Sequence, residues 1–167
     1  MKSRRPCCID TNIFFDFIAG DIFDQLFLLP FNFHTSEFIP KEISGSFSRQ
    51  QLKNLGVNLL ILSDAEVNDV YAIKQQHIEL SVEDVSVFYL SRKHEILILS
   101  SDELLRTLAA ESGIEYHGTL WLLEELIKND LLSSQESAIA LRKMLGKKRW
   151  LPTAECEKLI KKWESIK

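Results

Sequence analysis

An α/β chain, with a parallel sheet covered by helices on both faces, is what this sequence predicts, on three observations. Short apolar runs alternate along the chain with stretches of helical periodicity. One run, Glu95-Ile-Leu-Ile-Leu-Ser, is apolar throughout its middle, as a strand buried on both faces must be. The 167 residues are 46% hydrophobic and 26% charged, ordinary material for one packed domain.

The elements follow in order. Cys7-Cys-Ile-Asp10 is a short apolar run ending in a carboxylate, and Asn12-Ile-Phe-Phe-Asp-Phe-Ile-Ala then reads as a helix stopped by Gly20. Phe31-Asn-Phe-His-Thr alternates as a second strand. Thr35-Ser36 opens a helix expected to run past Leu52, with Pro40 in its first turn. Asn58-Leu-Leu-Ile-Leu is a third strand after Gly56. Residues 64–77 are helical, and Ser81 opens a further helix through Arg92. The strand at 95–100 precedes a helix from Asp102 to Ser112, with Leu105, Leu108 and Ala109 on one face and Gly113 at its end. Glu115-Tyr-His is the last strand.

After Gly118 the chain is wholly helical. Ser133-x-x-Glu136 is a capping box opening a helix to about Leu145. Thr153 starts another after Pro152, with Leu159, Ile160, Trp163 and Ile166 spaced for one apolar face. The expected organisation is a principal unit over 1–132 and a basic helical extension over 133–167 packed on the same domain. No internal repeat is present.

The formal net charge of −4 conceals a split. Residues 1–140 carry 11 Lys/Arg against 21 Asp/Glu, whereas 141–167 carry 9 against 3. An acidic body with a basic tail points to a polyanionic partner, although a basic helix with a solvated face reads the same way. No apolar run approaches the ~18 residues of a membrane helix. Asp10, Asn12 and Asp16 interrupt what would be the core of a signal peptide, so a cytoplasmic protein is expected. Cys7, Cys8 and Cys156 lack paired spacing and read as core residues, and the four histidines show no metal-binding spacing.

Four acids fall where an open α/β sheet places its active site, near strand ends and the first turns of the helices that follow. They are Asp10, Glu42, Asp84 and Asp102. Singly, each has a structural alternative: Asp10 and Asp102 fit helix caps, Ser81-x-x-Asp84 fits a capping box, and Glu42 fits a solvated helix residue. Together they would repel one another and need a cation, and hard oxygen ligands select Mg²⁺ or Mn²⁺. The P-loop pattern G-x-x-x-x-G-K-[ST] is absent, which excludes a P-loop NTPase. A haloacid-dehalogenase-like phosphatase would need a second Asp two residues after the first, and Asn12 stands there.

Ile9-Asp10-Thr11-Asn12 followed by aromatics resembles the start of a PIN domain. So does Leu80-Ser81-Val82-Glu83-Asp84 leading a helix with Leu90-Ser91-Arg92 near its end, and Ile96-Leu-Ile-Leu-Ser-Ser-Asp102-Glu-Leu-Leu-Arg106. Gly118-Thr119-Leu120, a leucine-rich helix and Asn129-Asp130-Leu131 resemble a bacterial branch grouped with VapC-type toxins. The resemblance covers nearly the whole chain and is strongest over 7–18 and 80–145. It implies a Rossmann-like sheet and a metal-dependent ribonuclease site with Asp10, Glu42, Asp84 and Asp102 as its acids. Asn12 and Ser100 match the supporting polar residues. Serine at 100 stands where threonine is common, and Glu83 adjoins Asp84, which is preferred by register.

The expected activity is therefore hydrolysis of RNA phosphodiester bonds with Mg²⁺ or Mn²⁺. The resemblance further implies a homodimer and, for a toxin, an antitoxin protein that blocks the acidic cleft. Arg142, Lys143, Lys147, Lys148 and Arg149 are the expected RNA-holding surface. The rival from another class is a PIN scaffold that docks RNA or protein without cutting it.

Overall fold

The structure is a computed structural model that describes residues 4–38 and 48–166. Five strands form one all-parallel sheet in the order β3-β2-β1-β4-β5. They are β1 (Arg5–Ile9), β2 (Phe31–Ser36), β3 (Asn58–Leu60), β4 (Leu97–Leu99) and β5 (Tyr116–His117). Nine helices stand among the described residues: α1 (Thr11–Ala19), α2 (Phe23–Leu26), α3 (Arg49–Asn54), α4 (Asp64–Gln76), α5 (Val82–His94), α6 (Glu103–Glu111), α7 (Thr119–Lys128), α8 (Ser134–Gly146) and α9 (Thr153–Glu164). The expected α/β architecture is what is found.

β1 is the middle strand, and Cys7, Cys8 and Ile9 are all fully buried. The chain steps outward from β1 through β2 to β3, then crosses back so that β4 lies on β1's other side. That reversal makes the carboxyl ends of β1 and β4 a topological switch point, where open α/β sheets bind ligands. Register fixes what meets there. Ile9 pairs with Leu99, and the Asp10 N–H donates to the Leu99 carbonyl at 2.9 Å. The next residues along, Asp10 and Ser100, therefore lie side by side.

Local chemistry starts and stops the helices. Ser48, Ser63, Ser81 and Ser133 each close a capping box at the head of a helix, with Gln51, Glu66, Asp84 and Glu136 reaching back. Gly113, expected to end α6, has φ of +69°, a conformation that glycine takes without strain. Gly20 ends α1 for a different reason. Its φ is −79°, and a Cβ built there would lie 2.7 Å from the Met144 Cε. Glycine at 20 lets α8 approach α1.

Three expectations need correction. Thr35 and Ser36 end β2 instead of opening a helix: Thr35 pairs with Leu59, and its hydroxyl donates to the Ile9 carbonyl at 2.8 Å. A ladder bond and a buried hydroxyl bond outweigh the local capping tendency of Thr-Ser. The helix containing Leu52 begins only at Arg49, capped by Ser48. Pro40 and Glu42 lie outside the described residues. The third strand stops at Leu60, and Ile61 is exposed. α2 is an element the sequence did not announce; Phe23 and Phe27 stack edge-on with Phe14 and Phe33 around it.

The C-terminal helices share the core with the sheet. α9 packs on α8 and α8 on α1, burying Cys156, Ile160, Trp163, Leu141 and Met144. The predicted apolar face of α9 holds for Ile160 and Trp163, while Ile166 falls beyond the helix and stays half exposed. Trp163→Ala should therefore cost about 3–5 kcal/mol, as large aromatic truncations in cores do. Ile166→Ala should stay within ~0.5 kcal/mol. Urea unfolding of both variants checks this, and a Trp163→Ala midpoint equal to that of wild type would contradict it.

Candidate active site

Asp10 leaves β1 and caps α1 within one residue. It is almost fully buried, so its carboxylate requires donors. Its Oδ1 accepts the Thr11 N–H at 2.7 Å. Its Oδ2 accepts the Ser100 hydroxyl at 2.8 Å and the Asn12 side-chain amide at 3.3 Å. Ser100 does two things at once, because its Oγ also accepts the Asp102 N–H at 3.0 Å. Asp102 in turn caps α6, its Oδ1 accepting the Leu105 N–H at 2.8 Å. One hydroxyl thus joins the acid at the end of β1 to the backbone of the acid after β4.

Asp84 heads α5, with its Oδ2 accepting from the Ser81 backbone N–H at 2.9 Å and the Ser81 hydroxyl at 2.7 Å. Burial pushes its carboxyl above the ordinary aspartate range; the Ser81 bonds oppose this, while the charges of Asp102 and Glu83 add to it. The charge of Asp102 is thus near enough to bear on Asp84. The structure therefore links Asp10, Asn12, Ser100 and Asp102 by hydrogen bonds and Asp84 to Asp102 by charge. Glu42 lies outside the described residues.

The donors offered here are oxygens, and a half-buried carboxylate such as Asp84, with the charge of Asp102 bearing on it, is relieved by a small hard cation. Among the described residues, no three His, Cys, Asp or Glu side chains form a group that could hold a metal ion. In donor chemistry Asp10, Asp84 and Asp102 fit Mg²⁺ or Mn²⁺. The cysteines offer no competing nucleophile. Burial pushes the Cys8 thiol up to about 12 and that of Cys156 to about 11, and it raises Cys7 as well, so all three are thiols at neutral pH.

Beside the acids opens a cleft of about 820 Å³, shared by Asn12, Asp102, Arg106, Thr119, Arg149 and Trp150 among others. Its floor is a second buried carboxylate, Asp16, which the sequence reading did not single out. Asp16 Oδ2 accepts the Thr119 hydroxyl at 2.5 Å, and Oδ1 accepts the Arg149 Nε–H at 2.6 Å. Its signal lay in the pattern: an acid one turn after Asn12 in a helix whose Ile13, Phe14 and Phe17 are all buried. Arg106 was likewise legible as a cation one turn after Asp102.

The basic residues of the tail are placed largely in ion pairs. Arg142 meets Glu164 at 2.9 Å, while Lys143 and Lys147 meet Asp21 at 3.0 and 3.4 Å. Arg149 holds Asp16 and lies over the Phe15 ring. Lys148 is exposed in a left-handed turn, with φ of +55°. Exposed pairs are worth only about 0–1 kcal/mol, so those at Lys143 and Lys147 are readily exchanged.

The raised Asp84 carboxyl has a consequence for stability. In the folded chain it ionises at higher pH than in the unfolded one, where the value is about 3.9. Across that interval the folded state holds the extra proton, and stability falls as pH rises through it. Asp84→Asn deletes the titration. In chelator, its urea midpoint relative to wild type should increase as pH rises above the ordinary aspartate range. A difference that stays flat with pH would contradict the placement of Asp84.

Comparison with known proteins agrees with this geometry. No curated protein matches the chain. A family model, DUF3368, described as a PIN domain, matches residues 7–165, from β1 through α9. PIN domains are generally nucleases and typically use divalent metal ions. With nearly its whole length matched, and with Asp10 and Asp102 joined through Ser100 at the switch point of a parallel sheet, the chain belongs to the PIN-domain family.

Proposed function

We propose that this protein is a metal-dependent endoribonuclease, the toxin of a toxin–antitoxin pair acting in the cytoplasm, with Asp10, Glu42, Asp84 and Asp102 as its acids. The observation that carries the reading is the Ser100 hydroxyl, which ties the buried Asp10 carboxylate to the Asp102 backbone at the switch point. That hydroxyl holds the Asp10 carboxylate, and with it the first turn of the Asp102 helix, where a strand-end site would need them. The likeness of 118–131 to VapC-type toxins supports the finer assignment, as it does an antitoxin partner and a homodimer.

Asp10, Asp84, Asp102 and Glu42 would hold Mg²⁺ or Mn²⁺. When bound, the ion supplies positive charge against the phosphodiester and lowers the pKa of water. The protein's own part is positional. Three donors fix the Asp10 carboxylate so that it cannot rotate away, and Asn12 holds its Oδ2 from the α1 side. Ser81 fixes Asp84, and the α6 N-terminus fixes Asp102. Lys143, Lys147 and Lys148, with Arg142 and Arg149 near them, supply positive charge for the RNA backbone that the acids alone would repel.

Asp10→Asn keeps the shape and removes the charge, so it should abolish Mn²⁺-dependent RNA cleavage in protein that is folded by circular dichroism. Ser100→Ala removes only the supporting hydroxyl and should lower activity by roughly 10–100-fold, the usual effect of losing an outer partner. The loss in Asp10→Asn should be the larger. Full cleavage by folded Asp10→Asn protein would refute the catalytic assignment of Asp10, and absence of Mn²⁺-dependent cleavage by the wild-type protein would refute the nuclease reading.

A further inference from the structure

We infer that Arg106 and Trp150 form a nucleotide-holding subsite beside the acids, in which Arg106 takes a phosphate and Trp150 stacks on a base of single-stranded RNA. The inference rests on the nuclease reading and specifies which part of the substrate the neighbouring cleft grips.

Arg106 is the first observation. It lies one turn after Asp102 on α6, lines the cleft and makes no ion pair among the described residues. Its Nε is buried with no hydrogen-bond partner there. A guanidinium stays charged at any accessible pH, and a buried donor without a partner is a standing cost to the fold. Every other arginine lining this cleft is engaged; Arg149 is fixed to Asp16. A fork-shaped cation facing an open cleft suits a phosphate, which it can meet with two parallel bonds.

Trp150 is the second observation. Its side chain is 93% exposed, although tryptophan is ordinarily well buried. The exposure is enforced by its neighbours. Arg149 is pinned inward on Asp16, Leu151 is buried, and the Leu151 N–H donates back to the Arg149 carbonyl at 2.9 Å. That three-residue turn puts Trp150 at its apex, over the cleft. Trp121, on the same cleft, is not available in this way, because it stacks on His117 at 3.8 Å and leans on Phe31.

The two groups line one common space of about 820 Å³. Its remaining lining includes Asn12 and Ser101, polar side chains that suit base and sugar edges. Asn12 and Asp102 belong both to this cleft and to the acid site, so the subsite is continuous with the reacting phosphodiester. Asp102, Glu103 and Glu155 also line it, and without Arg106 they would repel a phosphate. RNA is the occupant chosen because an exposed indole beside a fork-shaped cation matches a base beside its phosphate. Stacking on an exposed aromatic selects unpaired bases in preference to duplex.

The test measures binding apart from cleavage. A short fluorescein-labelled oligouridylate is titrated in chelator with full-length wild type, Trp150→Ala, Trp150→Phe and Arg106→Met. Trp150→Ala should weaken binding roughly five- to a hundred-fold, with Trp150→Phe restoring most of it. Quenching of exposed-tryptophan emission on binding should disappear in Trp150→Ala. Arg106→Met should weaken binding, flatten the salt slope by about 0.7 and leave the melting temperature unchanged or higher. A duplex of the same length should compete poorly. Unchanged affinity in folded Trp150→Ala and Arg106→Met would overturn the subsite and leave the exposed indole to a protein partner. A lower melting temperature in Arg106→Met would make that arginine structural and overturn its role. These outcomes are distinct from the failure of the nuclease reading, which shows as absence of Mn²⁺-dependent RNA cleavage by the wild-type protein.

Discussion

The hydroxyl of Ser100 stands between two chain segments that the sequence separates by some ninety residues, donating to the Asp10 carboxylate and accepting from the Asp102 amide. Everything nearby is arranged so that this contact is made. The pairing of Ile9 with Leu99 sets the register, and a slip of one residue would turn Asp10 to the opposite face. On the other side of β1, the Thr35 hydroxyl satisfies the Ile9 carbonyl, so the end of the central strand is held from both neighbours. A nearly fully buried carboxylate is tolerated because Thr11, Asn12 and Ser100 all supply donors.

How much of this was legible depends on the sequence distance over which each interaction acts. Capping boxes at Ser81 and Ser133 were readable because donor and acceptor lie three residues apart. The apolar run of β4 was readable because a strand buried on both faces cannot alternate. Thr35-Ser36 misled because the same two residues cap a helix or end a strand, and the deciding partners are Ile9 and Leu59. The left-handed turn at Glu95, φ +53°, carried no glycine to announce it. At the site, strand-end position and family resemblance pointed to Asp10, Ser100 and Asp102. Asp16 was missed because its partners, Thr119 and Arg149, lie 103 and 133 residues away.

The charge split takes on structural meaning. Much of the positive charge of the tail answers negative charge within the same molecule: Asp21, Glu164 and, across α7 and α9, Glu124 with Lys162. Among the described residues, only the Arg149–Asp16 pair is substantially buried, and breaking it would strand a carboxylate inside α1. The C-terminal helices are thus fastened to the sheet by apolar packing and by one buried ion pair that also shapes the wall of the cleft.

The account stands on the proposal that Asp10, Asp84 and Asp102 act as one cation-binding centre. Crystals of the wild-type protein soaked in Mn²⁺, with anomalous diffraction collected at the manganese edge, test this most directly. The account predicts a manganese ion coordinated by Asp10 together with Asp84 or Asp102, at ligand distances near the ~2.1 Å of small hard cations. An ordered site without manganese, or manganese bound away from Asp10, would contradict it.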